Sequence, residues 1–126
     1  MSILNTSQDP LVQSFIAGKT PVALSLLHHF LQQYTSLNKE IYLYPTKSMI
    51  GIGLGDKRIA WVTQLGKNFV HIVFPFEKAY PDNLCFQKIA PVPGDAHQVN
   101  HHFRMYAPED VNEEVTQFMR LSMASL

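Results

Sequence analysis

Cysteine is almost absent: Cys85 stands alone in 126 residues, so no internal disulfide can form. A lone thiol, and no basic segment leading into an apolar run at residues 1–6, fit a reducing compartment; a cytoplasmic location is expected. No stretch approaches the roughly 18 apolar residues of a membrane span, so no membrane partner is expected. Charge is sparse at 16% and balanced, ten basic against ten acidic side chains, and no Lys/Arg run occurs. That balance removes the usual electrostatic footprint of a dedicated nucleic-acid binder and of a protein held on an anionic membrane. Repeats, linkers and low-complexity blocks are missing too.

What is present is enough apolar material, 46% of the chain, to build one hydrophobic core. The length fits a single domain over residues 1–126, with residues 1–8 polar and loose. Asp9-Pro10 is a helix start, and Gly18 is placed to end that short helix after Leu11, Val12, Phe15 and Ile16. Thr20-Pro21 repeats the signal. Ala23, Leu27, Phe30, Tyr34 and Leu37 then recur at helical spacing, predicting a helix with one buried face that ends near Asn38.

The period changes at Ile41–Tyr44, a short strand stopped by Pro45. Met49–Leu54, Arg58–Leu65 and Phe69–Phe76 read as strands joined by short Gly-containing links, hence antiparallel. Residues 77–97 are punctuated by Pro81, Pro91, Pro93 and Gly94 and read as irregular, with a short edge strand at Phe86–Ile89. Gln98–Tyr106 is a further strand. Asp110 and Glu113 suggest a capping box for a last helix carrying Val111, Val115, Phe118, Met119 and Ser122. The fold class is α+β: two N-terminal helices, an antiparallel sheet of about five strands, and a C-terminal helix packed on the sheet.

Six histidines raise the question of a metal. His101 and His102 are adjacent and point to opposite faces of a strand, and His28 and His29 diverge on a helix. No HxH, HExxH or CxxC spacing occurs, and neither metal nor cofactor is expected. The Gly51-Ile52-Gly53-Leu54-Gly55 run lies in a strand that leads into a hairpin, not between a strand and a helix N-terminus. It therefore reads as room for close packing rather than as a phosphate loop. Cys85 has no histidine near it in sequence. The acidic group Glu109, Asp110, Glu113 and Glu114 suits the start of a helix, where carboxylates complement the dipole. No catalytic residue is assigned.

Strand parity yields a more useful set. Ile59, Trp61, Thr63 and Leu65 share one face by alternation, as do Phe69, His71 and Val73, and as do Gln98, Asn100, His102, Arg104 and Tyr106. Val99, His101, Phe103 and Met105 form the opposite, core-like face apart from His101. Brought together, Trp61 and Tyr106 would offer stacking surfaces and Arg104 a fork for a carboxylate or phosphate. His71 and His102 would add donors, and Lys47 a further positive charge. These six are the candidate ligand-binding residues. The competing expectation is a solvated face, or one crossed by helices or by loop 77–97, with Trp61 packed beneath a helix.

Three groups of residues also carry a resemblance: Phe15-Ile16-Ala17-Gly18-Lys19-Thr20-Pro21 before the long helix, Pro45-Thr46-Lys47-Ser48 before a strand, and His101-His102-Phe103-Arg104-Met105 followed by Pro108-Glu109-Asp110-Val111. In their order and spacing they resemble a small bacterial family catalogued as domain of unknown function 5655. The layout is also similar to the broader YdhG-like domains. The likeness covers most of residues 15–124. It implies the same fold and supplies no reaction; members joined to nuclease-like domains imply an accessory role. Met123-Ala124-Ser125 stands where that family commonly has an Ala-Tyr pair, so no role of that tyrosine carries over.

The leading expectation is a non-catalytic binding or accessory domain for a small anionic or aromatic ligand, or for a protein partner. An enzyme using His71 and His102 as acid/base groups is the alternative from another class. A nucleic-acid accessory module using Trp61, Tyr106 and Arg104 is the third, weakened by the neutral charge. An exposed strand edge would support a homodimer.

Overall fold

The computed structural model of the chain describes residues 8–124; most of the segment expected to be loose, residues 1–8, lies outside the described residues. Helix α1 (Pro10–Ile16) starts where Asp9 Oδ1 accepts the Leu11 amide at 2.8 Å. It ends with Gly18 at φ +72°, a conformation that costs a residue with a Cβ. Helix α2 (Pro21–Leu37) starts where Thr20 Oγ1 accepts the Ala23 amide at 3.1 Å. The same hydroxyl donates to the Lys67 carbonyl at 2.6 Å, tying this helix start to a turn of the sheet. Both starts agree with the sequence.

Six strands follow among the described residues, against the expected sheet of about five: β1 (Tyr42–Pro45), β2 (Ile50–Leu54), β3 (Lys57–Leu65), β4 (Val70–Phe76), β5 (Phe86–Val92) and β6 (Asp95–Met105). They form one antiparallel sheet in the order β1-β2-β3-β4-β6-β5. Segment 77–97 is thus not a loop crossing the sheet. Its second half is a hairpin, with Val92 paired to Asp95 around the two-residue turn Pro93-Gly94 and Gly94 at φ +82°. The edge strands β1 and β5 carry Pro45 and Pro91, which have no amide to offer an incoming strand.

A short 3-10 turn (Pro108–Asp110) precedes helix α3 (Glu113–Ala124). The expected Asp110/Glu113 capping box does not form. Asp110 Oδ2 instead accepts the Tyr106 and Ala107 amides at 2.8 and 3.0 Å, holding the end of β6. Asn112 takes over the cap, its Oδ1 accepting the Val115 amide at 3.0 Å.

The buried apolar side chains of the three helices and of the inward strand positions form one core cluster, with Val12, Phe30, Tyr34, Ile72, Phe74, Phe103 and Met119 among its members. The three helices among the described residues therefore cover the same face of the sheet. Phe30 of α2 meets Phe74 of β4 edge-on at 6.5 Å between ring centres. His101, expected to interrupt this face, is fully buried within it among Phe76, Tyr80 and Phe86. Burial is tolerated because both ring nitrogens are satisfied: Nδ1 donates to the Val99 carbonyl at 2.9 Å and Nε2 accepts the Tyr80 amide at 3.1 Å. No helix among the described residues is long and apolar enough to cross a membrane.

Candidate functional site

Among the described residues the second face of the sheet carries no helix, and Trp61 lies there rather than beneath one. Its central row is set by register: Tyr44 opposite Gly51, Gly51 opposite Trp61, Trp61 opposite Val73, Val73 opposite His102, and His102 opposite Lys88. Residues facing one another across antiparallel strands project to the same side. Val73 is buried outside the core cluster, as expected for an apolar floor on the far face.

Alternation within β3 fails. One residue, Ile59, is unpaired in the β2–β3 ladder and one, Thr63, in the β3–β4 ladder. Such bulges shift the parity of everything beyond them. Ile59 and Leu65 consequently turn into the core, while Trp61 and Thr63 stay on the open face. In β6 the alternation holds: Asn100, His102 and Arg104 face Pro75, Val73 and His71.

A depression of about 300 Å³ lies over Val73, lined by Met49, Trp61, Thr63, Gln98, Asn100 and His102. The indole of Trp61 leans towards β2, where Gly51 leaves room for it, and so clears the space above Val73. Gly53 plays the same part for the ring of Tyr42. The glycine run thus serves aromatic packing.

Behind the depression runs a directed hydrogen-bond chain. Arg104 Nε lies 3.3 Å from His71 Nδ1, and His71 Nε2 lies 2.9 Å from His102 Nδ1. An arginine Nε–H can only donate, so His71 Nδ1 accepts and the His71 proton sits on Nε2. His71 then donates to His102 Nδ1, which puts the His102 proton on Nε2. Each ring is neutral in this chain, and His102, which lines the depression, keeps Nε2–H as the donor left over. The electrostatics agree. Desolvation holds His71 below the usual histidine range, reinforced by His102 and Arg104; desolvation does the same for His102, reinforced by Lys88 and His101.

Of the six candidates, Trp61 and His102 line the depression, and His71 and Arg104 stand directly behind it. Tyr106 lies apart, 5.8 Å from Phe69 between ring centres, next to the Arg104 guanidinium that covers Phe69 at 4.3 Å. Lys47 is exposed in the β1–β2 turn and does not line the depression. Gln98 and Asn100, absent from the candidates, do line it; their i, i+2 spacing with His102 was the signal for them. Arg58 was also missed, and its guanidinium lies 3.5 Å over the Tyr44 ring. Among the described residues no group of three His, Cys, Asp or Glu side chains could hold a metal.

Charge on the sheet is uneven although the chain is neutral. The six strands hold Lys57, Arg58, Lys88 and Arg104 but one acidic residue, Asp95, at the hairpin end of β6. Comparison with family models, with curated proteins and with solved structures finds no match.

Proposed function

We propose that this chain is a non-catalytic binding domain that holds a small anionic or aromatic ligand against the open face of its sheet. The observation that carries this reading is the Arg104–His71–His102 chain, which leaves His102 one fixed donor, Nε2–H, on a residue that lines the same depression as Trp61, across Val73 from it. A fixed donor and an aromatic wall on the two sides of an apolar floor are the make-up of a small-molecule site. The shortage of acidic groups on the strands favours an anion. The motif order in residues 15–124 supports placing the chain with the domain of unknown function 5655 family, in an accessory role, and the lone thiol of Cys85 supports the cytoplasm.

The same histidine pair favours a second reading, acid–base chemistry at His102 with His71 orienting it. The depression offers it no carboxylate, serine or cysteine to work with, so binding is the stronger reading. The test is a thermal-shift screen against anionic metabolites, nucleotides and divalent metals. A ligand at about 100 times its Kd stabilises the native state by about 2.7 kcal/mol. A hit lost in Arg104→Ala supports the reading; a hit that persists unchanged in Arg104→Ala and His102→Ala removes this site from it.

A further inference from the structure

The polar rim of the depression has a pattern that narrows the ligand. Gln98 and Asn100, two apart on β6, are joined by a hydrogen bond from Gln98 Nε2 to Asn100 Oδ1 at 3.1 Å. That bond consumes one amide donor and one amide oxygen. It leaves Asn100 an NH2 and Gln98 a carbonyl oxygen, for which no other described side chain supplies a partner. Flipping both amides exchanges these roles and preserves the result, one NH2 and one C=O directed to a ligand. His102 Nε2–H adds a donor on the same strand face.

Trp61 and His102 flank Val73 on the two neighbouring strands. Two strand spacings, about 10 Å, separate their backbones. Such a slot, with an apolar floor and an aromatic wall, admits one planar ring. Side-chain amides reading alternating donors and acceptors at the edge of a planar ring are how proteins read nucleobases, and stacking on an aromatic side chain is how they hold an unpaired one. Lys88, opposite His102, is an exposed cation within reach of a phosphate on such a ligand.

We infer that the ligand of this face carries a nucleobase and a phosphate: the base enters the slot between Trp61 and His102, and Gln98 and Asn100 read its edge. This rests on the open-face binding reading above and names its ligand class. A free nucleotide and a single-stranded nucleic acid share this chemistry.

Trp61 is the sole tryptophan of the chain, so its fluorescence reports on the slot directly. The purified protein is titrated with AMP, UMP, ribose 5-phosphate and a deoxythymidine oligonucleotide of about ten residues. The expected result is saturable quenching by a nucleotide or the oligonucleotide, with ribose 5-phosphate neither quenching nor competing. Much tighter oligonucleotide binding with a steep salt dependence assigns the ligand to single-stranded nucleic acid; equal binding assigns it to the free nucleotide. The double variant Gln98→Ala/Asn100→Ala is expected to weaken binding about tenfold or more, with its melting temperature confirming an intact fold. Unchanged affinity in that variant overturns the inference. So does ribose 5-phosphate binding as tightly as the nucleotides, which leaves the anion-binding reading standing. If no probe binds by fluorescence or by thermal shift, the inference is overturned, and a silent metabolite screen then removes the wider reading as well.

Discussion

The indole of Trp61 fills the space that a side chain on Gly51 would need. A Cβ there would lie 2.9 Å from the indole Cζ3 and 3.0 Å from the Tyr44 carbonyl oxygen. The oxygen belongs to a backbone paired across the β1–β2 ladder, so the ring is the part that must yield. The glycine thus sets the position of the aromatic wall.

Gly51→Ala is expected to push the indole towards Val73 and narrow the depression. Overpacking costs about 1–3 kcal/mol, and the stiffer unfolded chain returns about 0.5–1 kcal/mol. The melting temperature should therefore fall by several degrees and the Trp61 emission should shift. In a Trp61→Ala background the same substitution should cost less, because the obstacle is gone. Equal costs in the two backgrounds would sink this account of the glycine.

Stability should decline as the pH falls below about 6.5. His71, His101 and His102 are all held below their ordinary value, in each case chiefly by desolvation. Between the lowered native value and the unfolded one, the unfolded chain binds more protons, so acid favours unfolding. Each histidine contributes up to about 1.4 kcal/mol per pH unit in that window. Protonating His71 or His102 also sets two N–H groups against each other within the Arg104–His71–His102 chain. Urea midpoints at pH 7.5 and pH 5.5 test this, and the His71→Gln/His102→Gln variant should show a shallower drop. A flat profile in the unaltered protein would contradict the neutral chain.

Tyr34 and Ser122 form a buried hydroxyl pair that joins α2 to α3. Ser122 Oγ donates to the Met119 carbonyl, so the Tyr34 hydroxyl donates to Ser122 Oγ. Burial raises the phenol well above its ordinary range and keeps it protonated. Tyr34→Phe removes one hydrogen bond and leaves the Ser122–Met119 bond in place, costing about 1 kcal/mol. Ser122→Ala strands the phenol O–H in the core and should cost more, about 1–3 kcal/mol. Denaturant titration of the two variants decides the order, and the reverse order would refute the assigned direction.

Cys85 should be a slow thiol. Burial, followed by the Glu114 carboxylate, pushes it up to about 12. The thiolate is the reactive form, so disulfide-reagent labelling at pH 8 should lag well behind that of a free cysteine. Glu114→Gln removes the carboxylate and should speed labelling without reaching the free rate. Labelling at the free rate in the unaltered protein would show that the thiol is not held in this environment.

Much of the local structure was legible because it depends on neighbours in sequence. Asp9 and Thr20 cap the helices that their positions announce, and the apolar stripe of α2 is the one that becomes buried. The polar row of β6 follows from alternation, and with it His102 and Arg104. Other features had weaker local marks. Pro93-Gly94 is a turn dipeptide, yet among several prolines it read as irregularity and concealed a hairpin. Asp110 read as the cap of the last helix; the end of β6 claims its carboxylate, and Asn112 caps α3 instead.

Helix caps, periodicity and short links act over a few residues, so the helices, the antiparallel pairing and most of the strands could be read along the chain. The register came from the folded sheet alone. The bulges at Ile59 and Thr63 have no sequence mark, since an unpaired residue is defined by the strand beside it. Pairing across strands brought Arg104, His71 and His102 into one directed chain, and left Lys47 and Tyr106 outside the depression. It buried His101 by supplying partners for both ring nitrogens. Net charge is a sum over the chain, blind to position; folding placed a predominantly basic set on the strands of a neutral protein.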